Sequence, residues 1–339
     1  MKGREPGILF VSHEASRSGA PLILLGIIKE FRKQSAIPFY ILIMEDGPLT
    51  SEFKLLGETY VWRKKQPAYL PSFLRKIISL FYRLSLYIRG PYILFKLKKI
   101  PLVFLNTISN GHIHKKLALF NPIFICYVHE MNYTINIVTN QSVLKFTLKN
   151  THLFLAGSTA VKNNLIKTHG VPAEKIEVHY SSLEITSREK TSYSAAIRSF
   201  KASNAIPENA IVIGVASSGE WRKGLDLFFP LIAMYFSLHP GSNVFFIWKG
   251  YKSVGNSTFY EMYDLNQLGY ANQVALIPHG GGSIECIAAY DIHLLLSRED
   301  PYPLVVLEAA SFGVPTICFE NAGGTVEFVE NDCGYRCRM

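Results

Sequence analysis

The sequence lacks the segments that mark secreted and membrane-spanning proteins. Its first residues, "MKGREPGILFVSHE", hold a short apolar run that ends at the polar residues Ser12 and His13, unlike the apolar core of a signal peptide. No apolar run reaches the roughly 20 residues that a membrane-spanning helix requires. We therefore predict a cytoplasmic protein.

Cysteine is scarce and occurs in an odd number. The five cysteines, Cys126, Cys286, Cys318, Cys333 and Cys337, lie mostly inside apolar segments. This pattern favours buried thiols in a reducing compartment over a disulfide framework. The pair in "CGYRC" has neither a second pair nor a nearby histidine, so we predict no bound metal.

Several nucleotide- and nucleic-acid-binding signatures are also missing. The first predicted strand is not followed by G-x-G-x-x-G or by a P-loop, which argues against a dinucleotide cofactor and against a P-loop NTPase. No helix-turn-helix, zinc-finger or RNA-binding pattern accompanies the basic residues, so we predict no nucleic-acid partner.

The sequence does have an uneven distribution of charge. Residues 1–184 carry 24 Lys and Arg against 11 Asp and Glu, a net charge of +13, and residues 185–339 carry 11 against 15. Seven basic and no acidic residues lie in the aromatic-rich segment 72–100, which fits a helix on an anionic membrane surface. Ordinary surface helices with their lysines and arginines in water are the alternative.

Short apolar runs alternate with longer helical patterns along the chain, which predicts parallel sheets with crossover helices. The predicted strands are 7–12, 38–44, 101–106, 123–129, 152–157, 211–217, 243–248, 273–278, 291–297 and 314–319, and helical patterns include 20–33, 159–169, 224–238 and 303–313. We predict two Rossmann-like α/β domains with doubly wound parallel sheets, residues 1–184 and 211–339, joined by a polar linker at 185–210.

Candidate binding residues follow the predicted strands, where ligands bind in such folds. Gly19 lies in a turn before a helix, whose N-terminus can hold phosphate. His129 ends a strand, where it is either a hydrogen-bonding ligand or a structural side chain. Arg222 and Lys223 precede a new helix, where cations oppose the helix dipole and an anion such as a diphosphate would compensate them. A basic loop that points into water is the alternative.

The segment "SREDPYPLVVLEAASFGVPTI" places two acids around an apolar helix. Pro303 fits the start of this helix and Gly313 its end. Glu308 has apolar neighbours on nearly every side, so we expect a buried carboxylate that needs a partner. The partner is either an internal cation or the two hydroxyls of a ribose, and Asp300 would reach a sugar bound above the start of the helix.

Together these residues resemble the retaining glycosyltransferases of the GT-B fold, the large family with an acid, seven residues and then Glu. Asp300, Glu308, Ala309, Gly313 and Pro315 match that motif in type or spacing. "RKG", "AAYD" and "NAGGTVE" match in the same order, and "SGAPL", "DGPL", "VHE" and "LAGSTAVKNNLIKTHGVPAEKIEVHYSSLE" resemble the other domain. The resemblance covers nearly the whole chain and implies two domains facing a cleft.

The resemblance implies a role for each matched residue. Glu308 would bind the nucleotide ribose, Asp300 the hydroxyls of the donor sugar, and His129 the transferring sugar, with Glu299 as a substitute for Asp300. The diphosphate would be held by Arg222, Lys223, Pro303, Leu304 and Gly19, and the backbone at Gly323 and Gly324 would approach the ligand closely. The family generally works without a metal or cofactor, and no enzymic nucleophile is evident, which fits transfer with retention.

The resemblance also has departures, which keep other functions open. Asp300 stands where Glu is usual, "DPYP" replaces a glycine-rich turn, and the chain ends earlier than its relatives, so we expect an incomplete C-terminal domain. The leading hypothesis is transfer from a nucleotide-diphosphate sugar to a glycan or lipid-linked acceptor in surface polysaccharide or glycolipid synthesis. The alternatives are a nucleotide-sugar epimerase and a non-catalytic glycan-binding or partner protein.

Overall fold

The structure, a computed structural model, describes residues 7–64, 72–182, 189–251, 257–278 and 284–338. The chain divides into two compact units, unit 1 from Met1 to Ser181 and unit 2 from Ser182 to Met339. Each unit is built on a parallel sheet of its own, and each is described separately below.

Unit 1 contains a seven-stranded parallel sheet in the order β3-β2-β1-β4-β5-β6-β7. Its strands are β1 Ile8–Ser12, β2 Phe39–Glu45, β3 Glu58–Arg63, β4 Leu102–Leu105, β5 Ile123–Val128, β6 Leu153–Ala156 and β7 Ile176–Val178. Its helices are α1 Gly19–Gln34, α2 Thr50–Leu56, α3 Ser72–Leu97, α4 Gly111–Leu117, α5 Asn132–Val138, α6 Gln141–Asn150 and α7 Thr159–Lys167. The strand order reverses direction between β1 and β4, which makes their carboxyl ends the expected ligand-binding edge.

Both faces of this sheet are apolar, because a parallel sheet carries helices on both sides. On one face Leu9 and Val11 pack in a single cluster with residues of the neighbouring strands. On the other face Phe10 lies between the rings of Phe31 and Phe104, with centroid distances of 5.6 Å to each. Successive side chains of β1 therefore pack on opposite faces of the sheet, in two separate layers.

Unit 2 contains a six-stranded parallel sheet in the order β10-β9-β8-β11-β12-β13. Its strands are β8 Ile211–Ala216, β9 Val244–Tyr251, β10 Val274–Pro278, β11 Ile292–Leu295, β12 Thr316–Phe319 and β13 Gly334–Cys337. Its helices are α8 Ser194–Ser203, α9 Leu225–Leu238, α10 Ser257–Gln267, α11 Ile284–Ala288, α12 Leu304–Ser311 and α13 Thr325–Phe328. Here the order reverses between β8 and β11, so the carboxyl ends of these two strands form the expected binding edge.

The interior strand β9 shows how the core of unit 2 is divided. Phe245 and Ile247 pack in one cluster, which also holds buried residues of α11 and α12, and Phe246 and Trp248 pack in another with residues of α9. All four side chains are at most 2% exposed. The continuous apolar run "NVFFIW" is thus the signature of a strand that is buried on both faces.

The predicted elements agree with this architecture. All ten predicted strands are present, as β1, β2, β4, β5, β6 and β8 to β12, and the four predicted helical patterns form α1, α7, α9 and α12. Three further strands, β3, β7 and β13, complete the edges of the two sheets. The fold class of two doubly wound α/β domains is confirmed.

The predicted linker differs from the structure in its described part. Residues 183–188 lie outside the described residues, but Ser194–Ser203 form α8 instead of a polar connection. Ile197 and Phe200 on this helix pack against the core of unit 2, together with Tyr193 just before it. The spacing of these three residues gives one apolar stripe, which the many polar residues around them obscured.

Two buried histidines give the fold a predictable response to acid. Burial lowers the pKa of His114 and of His293 to about 4, and neither side chain is exposed. Because these folded-state values lie below the unfolded value of 6.5, the unfolded chain binds more protons between pH 6.5 and 4. Each group therefore stabilises the fold fully above pH 6.5 and loses that contribution as the pH falls.

We expect the free energy of unfolding to fall between pH 6.5 and 4.5, by up to about 1.4 kcal/mol per pH unit for each histidine. The lowered pKa of His129, about 3, adds to this fall, whereas the buried carboxyl of Glu130, whose pKa is raised to about 7, has the opposite sign and offsets part of it. Urea unfolding of the parent and of His293→Asn at several pH values separates the contributions. Identical slopes in the two proteins would contradict the assignment to His293.

Candidate functional site

In unit 2 the predicted site residues converge on the carboxyl ends of β8 and β11. Arg222 and Lys223 lie in a helical turn, Trp221–Lys223, in the loop that follows β8. Asp300 lies in the loop that follows β11 and is 4% exposed. Because the strand order reverses between these two strands, both loops lie at the edge where doubly wound folds bind ligands.

Lys223 and Asp300 form an ion pair at this edge. The Lys223 Nζ contacts Asp300 Oδ2, and the two side chains are only 15% and 6% exposed. The Ser297 hydroxyl donates a second hydrogen bond to the same carboxylate oxygen at 3.2 Å. Burying two charges costs free energy, which their mutual attraction and further hydrogen bonds must offset. Each charged group can also bind a ligand that takes the place of its partner.

Arg222 joins the two loops through the backbone. Its Nη1 donates to the carbonyl oxygen of Glu299 at 2.7 Å, and the backbone N–H of Arg298 donates to the carbonyl oxygen of Arg222 at 2.8 Å. Its Nη2 lies 3.8 Å from the Glu220 carboxylate. Arg222 and Lys223 thus contact adjacent residues of one loop, Glu299 and Asp300, and we call these two predicted cations the cationic cluster.

Arg298 strengthens this junction, and sequence reasoning missed it. Its guanidinium donates two hydrogen bonds to the Asp226 carboxylate, both at 2.7 Å, and lies 4.6 Å from the ring centroid of Trp221. The paired Arg298 holds the pKa of Asp226 below its usual range. A bidentate ion pair beside an aromatic ring permits few orientations of the guanidinium. Because Trp221 and Asp226 flank Arg222 and Lys223 in the sequence, these contacts restrict the position of the loop that carries the two cations.

Gly224 explains how the turn after Lys223 approaches β11 so closely. It has a φ of +80°, and a Cβ atom at this position would lie 2.2 Å from the carbonyl oxygen of Leu296. Only glycine fits both the left-handed conformation and the close backbone approach. The "RKG" of the sequence is therefore a structural requirement as well as a charge pattern.

The two glycines predicted to approach a ligand, Gly323 and Gly324, lie beside Asp300. Residues Asp300 and Gly323 form an isolated parallel bridge, and the Gly324 N–H donates to the carbonyl oxygens of Asp300 and Pro301 at 3.2 and 3.0 Å. Together with Glu299, these residues lie in one loop cluster. The structure thus brings together Arg222, Lys223, Glu299, Asp300, Gly323 and Gly324.

Helix α12 begins at Leu304, directly after Pro303, and ends at Ser311. Gly313 follows with a φ of +69°, which confirms it as the residue that terminates the helix. Glu308 lies one turn beyond Leu304, and it is half-buried, which differs from the expected burial. The reason is that α12 buries only Val306 and Ala309 against the sheet and leaves its other residues at least partly accessible.

In unit 1 the predicted residues Gly19 and His129 are linked by a residue that was not predicted, Asn106. Gly19 is the first residue of α1, and the carbonyl oxygen of its neighbour Ala20 accepts a hydrogen bond from Asn106 Nδ2 at 2.7 Å. Asn106 Oδ1 lies 3.1 Å from His129 Nε2. These residues follow β1, β4 and β5, at the edge where the strand order of unit 1 reverses.

His129 and Glu130 have shifted titration behaviour. Burial, together with the neighbouring His13, lowers the pKa of His129 to about 3, so the ring is neutral at physiological pH. Burial raises the pKa of Glu130 to about 7, although its carboxylate accepts from the His129 N–H at 2.9 Å. Shifts of this kind cluster at functional sites, although buried structural groups also show them.

Neither a metal site nor a disulfide is found in the described residues. Over the described ranges, no group of three or more His, Cys, Asp and Glu side chains could hold a metal ion. All five cysteines are free, and Cys126, Cys286 and Cys318 are buried. The two cysteines of "CGYRC" are half-buried at the end of the chain, around the edge strand β13.

A family model matches most of unit 2. Residues 196–337 match the family model of the glycosyl transferases group 1. The matched segment holds nearly all of unit 2, including its cationic cluster, Asp300 and α12. A search of curated proteins by sequence found no match.

Solved structures similar to this chain include proteins named as glycosyltransferases. The structure of Anabaena HepE in complex with UDP and glucose is 20% identical, with a TM-score of 0.75 over 98% of this chain and 86% of that one. The lipopolysaccharide outer core galactosyltransferase WaaB is 15% identical, with a TM-score of 0.67 over 98% and 86%. A glycosyltransferase of Rickettsia africae is 17% identical, with a TM-score of 0.64 over 98% and 84%. The fold is therefore GT-B.

Proposed function

We propose that the protein is a retaining glycosyltransferase that moves a sugar from a nucleotide-diphosphate sugar to a glycan or lipid-linked acceptor. The observation that carries this proposal is the cluster of Arg222, Lys223 and Asp300 between β8 and β11, inside the segment that matches the glycosyltransferase family model. It is supported by the similar fold of HepE, which was solved in complex with UDP-glucose.

The cationic cluster suits the chemistry of the leaving group. Negative charge grows on the diphosphate as its bond to the sugar breaks, and Arg222 and Lys223 would stabilise that charge more strongly than they stabilise the bound substrate. The start of α12 would also donate hydrogen bonds to the diphosphate through free backbone N–H groups. Pro303 has no N–H group, so Leu304 and the residues after it would supply these donors. No metal is needed in this scheme.

The remaining roles concern the nucleoside and the sugar. Glu308 would accept hydrogen bonds from the two ribose hydroxyls, and Asp300 would accept them from hydroxyls of the donor sugar, with Glu299 beside it. His129 would contact the transferring sugar. Gly19, which has no side chain, would allow the backbone before α1 to approach the phosphates closely. We further propose that the protein works in the cytoplasm, in the synthesis of a surface polysaccharide or glycolipid.

The function is tested by following the release of nucleoside diphosphate from nucleotide-sugars, with and without glycan and lipid-linked acceptors. Release that depends on an acceptor, with the anomeric configuration kept in the product, supports the proposal. A rearranged sugar formed without acceptor would indicate an epimerase instead. Glycan binding with no turnover across the panel would indicate a binding protein.

We also propose that α3 binds an anionic membrane surface, as the charge of segment 72–100 predicted. Within the part of α3 whose side chains are described, Tyr87, Ile88, Tyr92 and Phe95 are 56–81% exposed along one side. The opposite side, at Gly90, Ile93 and Leu97, is buried. None of the described helices meets the length and hydropathy that crossing a bilayer requires, so this contact would lie at the interface.

Lysines accompany the exposed rings. Lys96 Nζ lies 5.7 Å from the ring centroid of Tyr92, and Lys98 Nζ lies 3.8 Å from that of Phe95. Aromatic rings at the depth of lipid headgroups, with ammonium groups among them, match the chemistry of an anionic lipid surface. The basic charge of this segment and its exposed apolar side therefore point to the same partner.

Replacing Lys96, Lys98 and Lys99 by glutamine should weaken binding to vesicles of phosphatidylcholine with about one third phosphatidylglycerol by tenfold or more, at roughly 1 kcal/mol per lysine. The measurement is sedimentation with vesicles. The matched control removes the same charge elsewhere in unit 1, at the exposed lysines Lys145, Lys149 and Lys167. Equal loss in both triple variants would show an effect of net charge alone and would contradict a specific role of α3.

A further inference from the structure

Asn106 is buried at the point where the strand order of unit 1 reverses. It directly follows β4, its side chain is 0% exposed, and its backbone N–H donates to the carbonyl oxygen of Val11 in β1 at 3.0 Å. A buried amide must satisfy both of its polar ends. Its partners therefore reveal which way the amide points.

The orientation of the amide is fixed by chemistry. One end lies 2.7 Å from the carbonyl oxygen of Ala20, and because a carbonyl oxygen can only accept, that end must be the NH₂ group. The other end, Oδ1, then faces His129 Nε2 at 3.1 Å. Since Oδ1 can only accept, the proton of the neutral ring must lie on Nε2.

The ring of His129 is neutral because its surroundings disfavour a charge. Burial of the ring lowers its pKa to about 3, with a further contribution from His13, which follows β1. Glu130 faces the backbone of the same residue, where its carboxylate accepts from the His129 N–H, and the ring of Tyr127 lies 4.0 Å away. A neutral ring with its proton on Nε2 presents the lone pair of Nδ1.

We infer that Asn106 is a positioning residue that fixes His129 in the Nε2–H tautomer, so that Nδ1 accepts a hydrogen bond from a hydroxyl of the bound sugar. The tautomer follows from contacts within unit 1, whereas the hydroxyl partner rests on the proposed function. An acceptor at Nδ1 selects a hydroxyl over a phosphate oxygen, because a phosphate oxygen carries no proton to donate. His129 would thus serve the sugar and not the diphosphate.

The tautomer can be measured without any substrate. In protein labelled with ¹⁵N-histidine, imidazole NMR distinguishes protonated from unprotonated ring nitrogens, and the signal missing in His129→Gln identifies this ring. We expect a protonated Nε2 and an unprotonated Nδ1 that persist from pH 8 to below pH 5. A protonated Nδ1 in the unaltered protein would overturn the inference.

Asn106→Asp separates positioning from simple support of the fold. The aspartate can still accept from Nε2, although it no longer donates to the Ala20 carbonyl oxygen. Its negative charge should raise the pKa of His129 by one or more units. If the hydroxyl contact exists, the variant should show a new loss of kcat as the pH falls through that pKa, with little change in KM for the donor, because a protonated Nδ1 cannot accept. Asn163→Asp on the exposed side of α7 adds the same charge as a control.

The outcomes distinguish this inference from the proposed function. An unshifted pKa of His129 in Asn106→Asp would overturn the role of Asn106, whatever the enzyme does. A shifted pKa together with a pH profile of transfer equal to that of the control would overturn the hydroxyl contact. The predicted tautomer in a protein that shows no transferase activity would leave Asn106 assigned and would refute the proposed function alone.

Discussion

Replacing Glu308 by alanine is expected to weaken the binding of a nucleotide-diphosphate sugar by about a hundredfold or more. A carboxylate that accepts from two ribose hydroxyls makes two charge-assisted hydrogen bonds, each of about 1.5–3 kcal/mol. The fold should survive the change, because α12 is held by the buried residues Val306 and Ala309 while Glu308 is half-buried. Calorimetric titration measures the affinity.

The matched control for this prediction is Glu208→Ala, which removes a carboxylate from an exposed position of unit 2. Thermal unfolding of both variants checks that any loss of affinity is not a loss of structure. An affinity of Glu308→Ala equal to that of the control would show that this carboxylate does not bind the nucleoside.

Replacing either partner of the ion pair between Lys223 and Asp300 should have a large effect, and the two replacements should differ in their effect on stability and on diphosphate binding. Lys223→Met leaves a carboxylate that is 6% exposed without its cation, so the fold should lose about 3 kcal/mol or more, and binding of nucleoside diphosphate should fall. Asp300→Asn removes the negative charge that pairs with Lys223, so the ammonium group becomes available to the diphosphate. We expect unchanged or tighter binding of the diphosphate by this variant, with transfer of sugar abolished.

The double variant Lys223→Met with Asp300→Asn provides the control for stability. It removes both charges, so it should recover much of the stability that Lys223→Met loses, and the cycle of four proteins gives the coupling energy of the pair. Urea unfolding and calorimetric titration with nucleoside diphosphate supply the two quantities. If both single variants lost equal amounts of stability and of affinity for nucleoside diphosphate, and the losses added in the double variant, the proposal that the ligand replaces Asp300 as the partner of Lys223 would be contradicted.

Sequence patterns were sufficient for the interior strands and for the edge strand β10, and insufficient for the other three edge strands, β3, β7 and β13. Strands buried on both faces, such as β9, leave a short continuous apolar run, whereas the apolar runs of the helices α1 and α9 are longer. The edge strand β3 mixes Glu58, Thr59 and Arg63 with its apolar residues, and β7 has only three residues. An edge strand is half exposed, so its composition resembles that of a loop.

The candidate site shows the same division between local and distant information. Arg222, Lys223 and Asp300 could be predicted because each follows a recognisable strand, and the parallel order then brings them together. Arg298 and Asn106 also follow recognisable strands, but the sequence does not show that they contact Asp226 and Ala20, which lie 72 and 86 residues away. Burial of Glu308 was overestimated because composition does not reveal which side of α12 faces the sheet.

The measurement that tests the account most directly is calorimetric titration of the protein with UDP, GDP and ADP, each compared with its monophosphate. We predict that one diphosphate binds at least tenfold more tightly than its monophosphate and that this preference disappears in Lys223→Met. Binding of no nucleoside diphosphate at all, or an equal affinity for mono- and diphosphate, would contradict a diphosphate site between β8 and β11.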